Sequence, residues 1–133
     1  MRGLVIIKPD SEKYLDEIVK AMTKVNVNLV RGFKIQIPRE TIEILYNEHK
    51  GSSIYQKLID YMSGGMSIVL ILEGNDTVNK LLEIKGKANK GGIRGKYAYR
   101  FDQWRVKNIL HCPDTEEQTE KEIALLIDAN EQQ

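Results

Sequence analysis

The chain has two histidines, and one of them, His111, stands in the stretch NILHCPDT, at the end of an apolar run and just before residues suited to opening a helix. An imidazole at such a corner faces a cleft, and its two ring nitrogens divide the work: one is held while the other attacks or moves a proton. Glu122 follows on the helix and reaches the ring only if that helix packs across the sheet. Asn108 belongs on the opposite face of an ideal strand from His111, unless the strand has ended or bulged. Cys112 sets a thiol beside the histidine, but neighbouring strand side chains point apart, so the pair does not build a thiol nucleophile and its base. No Cys and His spacing suits zinc. Taken by itself, a histidine here is more often a packing residue than a nucleophile, and spacing leaves both open.

A second concentration of chemistry is electrostatic. From Lys80 to Lys107 nine Lys and Arg face only Glu83 and Asp102, although the whole chain carries a net charge of +1. Such a segment reads as a solvated face or as a site for a small polyanion. The near-neutral total argues against nucleic acid as the main partner.

Around these residues the pattern is that of one domain over residues 1–133, with ordinary globular composition, 41% apolar and 29% charged. The apolar run Ile68 to Leu72 is far too short to cross a bilayer, and the start lacks a signal peptide's cleavage pattern. One cysteine fits a reducing compartment, so a cytoplasmic location is expected. Strands are predicted at 3–8, 27–37, 66–74 and 106–111, and helices from Ser11, at 39–49, 52–62 and 76–85, and after Pro113, whose missing N–H suits a first helical turn. Tyr14, Ile18 and Met22, with Leu15 and Val19 on the adjoining row, give the first helix its apolar stripe. Residues 86–107, rich in Gly and Lys without periodicity, read as a loop. The alternation predicts an α+β fold, a ferredoxin-like antiparallel four-stranded sheet covered by helices, with one sheet face left exposed for assembly.

Several separated segments together resemble nucleoside diphosphate kinase. LVIIKPD is similar to that family's first strand and K-P-D turn, YNEHKG with YQKLIDYMSGG to its nucleotide-clamping hairpin, SIVLILEG to its central strand, and GGIRG to its I-R-G element. NILHCPDT with EKEIALLI resembles the segment of the phosphorylated histidine, N-x-x-H-G-S-D-S, and a later Glu-Ile pair. The resemblance runs through essentially the whole chain. It implies a kinase that moves the γ-phosphoryl of a nucleoside triphosphate to a nucleoside diphosphate through a phosphohistidine, with Mg²⁺ carried on the phosphates, in a homo-oligomer of two or more copies. It implies His111 as nucleophile, Glu122 as the carboxylate on its other nitrogen, and Lys8 and Arg94 as phosphate contacts. Asn108 would lie near the sugar, Tyr46 would order the histidine, and Asp114 would stand near the metal ion.

The chain also departs from the family. Ile54 stands where a Phe stacks on the base, with aromatic Tyr55 next to it and Leu58 on the same hairpin. Leu82 stands where a phosphate-binding arginine is expected, and Ala88 where a threonine is, in a loop several residues short. Lys85, Lys87 and Lys90 offer charge in its place. Pro113 displaces the serine that would sit beside Glu122. An insertion of about four residues brings Tyr97, Tyr99, Phe101 and Trp104, and a contact surface is the use expected of them. These changes keep an alternative open, a nucleotide-binding pseudoenzyme that acts as a sensor, decoy or interaction module.

Overall fold

The computed structural model describes residues 1–87 and 90–133. Four antiparallel strands, β1 (Arg2–Ile7), β2 (Asn28–Gln36), β3 (Met66–Glu73) and β4 (Leu110–His111), lie in the order β2-β3-β1-β4. Between and after them run α1 (Leu15–Lys24), α2 (Arg39–Leu45), α3 (Tyr55–Ser63), α4 (Thr77–Lys85), α5 (Gly92–Lys96) and α6 (Glu116–Glu131). This is the predicted ferredoxin-like α+β arrangement.

β1 explains the layering. Its side chains alternate, and all from Leu4 to Ile7 are buried: Leu4 and Ile6 enter a core with α2, α3 and α6, while Val5 and Ile7 enter a second core with α1, α4 and α5. Each such buried side chain is worth about 1.5–3 kcal/mol. Helices therefore cover both faces, which corrects the expectation of one exposed face. Exposure is concentrated instead along the free edge, where β2 shows Leu29 and Val30 to solvent. On α1 the predicted row of Tyr14, Ile18 and Met22 is buried, whereas Val19 is exposed.

Three predicted boundaries move. β4 keeps only two residues, because Ile109 has φ +80° and closes a γ-turn in which the Leu110 N–H donates to the Asn108 carbonyl at 3.0 Å. α6 begins at Glu116, capped by the Thr115 hydroxyl accepting from the Gln118 N–H at 3.1 Å, so Pro113 lies before the helix. The stretch read as a loop holds α5 and a 3₁₀ turn at Ala98–Arg100. Its aromatics fold back on the same chain: the Tyr97 and Tyr14 rings lie 4.7 Å apart, the Tyr97 hydroxyl donates to Glu17 at 2.5 Å, and Arg100 donates to the Tyr14 hydroxyl at 2.8 Å. Most of the expected contact surface is thus spent within the molecule, leaving Tyr99 exposed.

Candidate active site

β4 is short, but its pairing fixes the histidine: His111 lies opposite Ile6 and Leu110 opposite Ile7 on β1. Lys8 follows directly after β1, and its backbone N–H donates to the Ile109 carbonyl at 2.8 Å. The left-handed backbone at Ile109 breaks strand alternation, so Asn108 and His111 both line one cavity of about 330 Å³. A β-branched residue is strained at positive φ, and the surrounding hydrogen bonds hold it there.

Behind the histidine, α6 packs across β1 and brings Glu122 to it. His111 Nε2 lies 2.7 Å from Glu122 Oε1, and both side chains are nearly closed to solvent, 13% and 4% exposed. A carboxylate accepts, so Nε2 carries the hydrogen and Nδ1 keeps the lone pair. The other oxygen, Oε2, accepts from Gln118 Nε2 at 2.8 Å, one helical turn earlier. The Tyr46 ring meets the imidazole edge-on at 5.2 Å, and burial pushes its phenol well above the usual range. Burial likewise pushes the Cys112 thiol up to about 12, which removes it as a nucleophile near neutral pH.

The positive charges lie on the other side of the cavity. Lys8 Nζ donates to the Val106 carbonyl at 3.1 Å and to Asn108 Oδ1 at 2.6 Å. Arg94 donates to that same Oδ1 at 3.1 Å, to the Asn108 carbonyl at 3.3 Å and to the Leu110 carbonyl at 2.7 Å. Burial holds the Lys8 pKa well below the usual lysine range, with Arg94 and Lys85 adding repulsion. Burial also lowers Arg94. Lys85 and Arg105 complete the basic lining. Among the described residues none of these four cations has a carboxylate at ion-pair distance.

Of the residues singled out from the sequence, His111, Glu122, Lys8, Tyr46, Arg94, Asn108, Ile54, Leu58 and Asp114 gather at or directly behind this cavity. Tyr55 does not: it lines a hollow on the other side of the hairpin with Glu40, Ile44 and Asn47, so no aromatic replaces Ile54 from that position. Leu82 does not either. On α4 the row Thr77, Val78 and Leu81 faces the protein, and the next residue turns away toward an outer hollow beside Gly86 and Lys87. Ala88 lies outside the described residues. Missed from the sequence were Glu48, His49, Arg105 and Gln118, which line the cavity, and the choice of Lys85 among three lysines. Gln118 was legible in principle, since it stands four residues before Glu122 on a capped helix.

What this arrangement can do is specific. One imidazole nitrogen is tied to a carboxylate, four cations line the cavity with no carboxylate at ion-pair distance among the described residues, and the wall between Ile54 and Leu58 is apolar. The family model described as nucleoside diphosphate kinase matches residues 1–132. A nucleoside diphosphate kinase of Saccharolobus solfataricus is 31% identical over 137 aligned positions, covering 98% of this chain and 96% of the relative. One of Methanocaldococcus jannaschii is 32% identical, covering 98% and 95%. Among solved structures, the apo nucleoside diphosphate kinase of Encephalitozoon cuniculi superposes with TM-score 0.85 at 27% identity, over 95% of this chain and 88% of that one. That of Aquifex aeolicus gives 0.80 at 25% identity, over 94% and 93%.

Proposed function

The chain belongs to the nucleoside diphosphate kinase family, and from that premise we propose that it is a phosphotransferase in which His111 carries the γ-phosphoryl group from a nucleoside triphosphate to a nucleoside diphosphate. The observation that carries this reading is the His111–Glu122 contact at 2.7 Å, which ties Nε2 and leaves Nδ1 as the nitrogen for attack in a ring that lines the cavity. In the first half-reaction the Nδ1 lone pair forms a bond to the γ-phosphorus, the bond from that phosphorus to the bridging oxygen breaks, and the electron pair leaves on the β-phosphate of the diphosphate. The hydrogen stays on Nε2 against Glu122, so no proton needs to move. The second half-reaction reverses these steps with another diphosphate.

Lys8 and Arg94, held by Asn108, neutralise charge developing on the phosphates, and Ile54 and Leu58 offer an apolar wall to the base. With Ile54 in place of an aromatic that would stack on the base, a contact worth roughly 1–3 kcal/mol, binding rests more on phosphate than on base identity. A Mg²⁺ ion fits this cavity as cargo of the phosphates. Asp114 and Glu48 offer hard oxygens at the lining, and Mg²⁺ is commonly held by one or two carboxylates plus substrate phosphates. Asp114 is the residue that would hold it, and the ion would supply further charge neutralisation.

The exposed edge of β2, with Leu29 and Val30, suits pairing with a second copy, which supports a homo-oligomer. No helix among the described residues is long and apolar enough to cross a membrane. The free, buried Cys112 suits the reducing cytoplasm, where we place the protein. A binding-only role, whose case rests on Leu82, Ala88, Ile54 and the shortened loop, has less support, because His111 and Glu122 stand within hydrogen-bond reach of each other.

Incubation with γ-labelled ATP tests the reading. Acid-labile, base-stable label should appear on the protein, pass to an added nucleoside diphosphate, and be absent from His111→Asn. Persistence of label in that variant would overturn the assignment.

A further inference from the structure

Resting on that reading, we propose that Lys85 is a direct phosphate ligand, the cation of this site that grips the phosphate chain of the bound nucleotide. Of the four cations that line the cavity Arg105 is exposed to solvent, and the three withdrawn from it are not equivalent. Lys8 has two hydrogen bonds from its ammonium and Arg94 has three from its guanidinium, all to Asn108, Val106 and Leu110, so much of their donor capacity already holds the site together. Lys85 lines the same cavity and is half-buried, yet among the described residues its ammonium has neither a side-chain hydrogen bond nor an ion pair. Lysine is seldom withdrawn from water without a partner. Burial lowers its pKa and Arg94 lowers it further, a cost that a polyanion between them would reverse.

The local backbone explains why this lysine and not its neighbours. Leu81 and Lys85 are four apart on α4, so Lys85 continues the row that faces inward. Directly after it the chain crosses itself. A Cβ at Gly86 would meet the Gly91 carbonyl oxygen at 1.9 Å, and one at Gly92 would meet the Gly86 nitrogen at 2.5 Å. That crossing seats α5 against the end of α4 and brings Arg94 beside Lys85. Lys87 and Lys90 lie beyond it and line the outer hollow with Leu82. Charge supplied by Lys85 accounts for how the chain does without a cation at position 82.

The test uses the full chain and titration calorimetry with ADP, AMP and adenosine at fixed magnesium. Lys85→Met keeps the apolar stem and removes the charge, and should weaken ADP about 10- to 100-fold while leaving adenosine unchanged, as expected for one lost charge-assisted bond. Lys85→Arg should restore most of the affinity, and Lys87→Met should bind as the unaltered protein does. Lys85→Gln is carried in parallel, so that a misfolded methionine variant does not decide the result. ADP binding undiminished in a folded Lys85→Met or Lys85→Gln protein overturns the inference, as does an equal loss for adenosine. Label on His111 with Lys85-independent ADP binding sinks this inference alone. ADP binding that depends on Lys85 without label on His111 sinks the kinase reading alone.

Discussion

At one end of the cavity His111, Glu122 and Gln118 are joined atom to atom at 2.7 and 2.8 Å; at the other, Lys8, Lys85 and Arg94 gather without a carboxylate at ion-pair distance among the described residues. The two ends tolerate change differently. A hydrogen bond weakens steeply with misalignment, so the histidine, its carboxylate and the spacing between them must survive together. Coulombic attraction falls only as the inverse of distance, so a positive charge supplied from one position can be supplied from another nearby. The departures follow that division. Leu82, where an arginine is expected, stands on α4, the helix that brings Lys85 to the cation end, whereas at the histidine end His111 and Glu122 stand as expected and the departures lie beside them, Cys112 and Pro113 following the histidine and Gln118 bonding Glu122.

The largest effect that would sharpen this contrast, after loss of the nucleophile itself, is expected from Glu122→Gln. An amide NH₂ set against Nε2 favours the tautomer with hydrogen on Nδ1, which occupies the lone pair needed for attack. Phosphoenzyme formation measured by rapid quench should fall about 100-fold or more. A fall of only a few-fold would show that the two ends differ less than their geometry implies. Gln118→Leu should cost less, since it removes one bond at the second oxygen. We expect kcat to drop about 2- to 10-fold with KM for ADP unchanged, the reverse of the binding loss expected at Lys85. A raised KM instead would place Gln118 with the phosphate ligands.

The smallest effect is one of stability. Burial raises the Cys112 thiol from 9.0 to about 12, so the folded state keeps its proton where the unfolded state loses it. That contribution is complete below pH 9 and is lost as pH rises toward about 12. Between pH 9 and 10 the loss amounts to about 1 kcal/mol. Denaturant unfolding of Cys112→Ala should therefore lose stability more slowly over that interval than the unaltered protein. Parallel slopes would mean that water reaches the thiol and that the histidine end is not closed.

The sequence made most of the frame legible because β1 and β3 are apolar on both faces and the first helix repeats its stripe, signals that depend on neighbours along the chain. His111, Glu122, Lys8 and Arg94 were legible through motifs. What escaped depends on backbone events that side-chain pattern does not encode. The γ-turn at Ile109 shortened the fourth strand to Leu110–His111 and turned Asn108 into the cavity, and the crossing at Gly86 and Gly92 chose Lys85 over Lys87 and Lys90. Tyr55 misled for a simpler reason. Its neighbour Ile54 is the helix cap that faces the cavity, and one residue along a helix turns a side chain by about 100°.

The contact between Gly86, Gly91 and Gly92 works as a drawstring. Backbone hydrogen bonds of 3.0 and 2.6 Å between Lys87 and Lys90 draw the neck shut just outside it. Lys87 and Lys90 stand beyond the knot, so exchanging their side chains does not pull on Lys85 or Arg94. The glycines themselves have no such licence: a single methyl group at Gly86 or Gly92 would pry the neck apart and carry both cations away from the cavity.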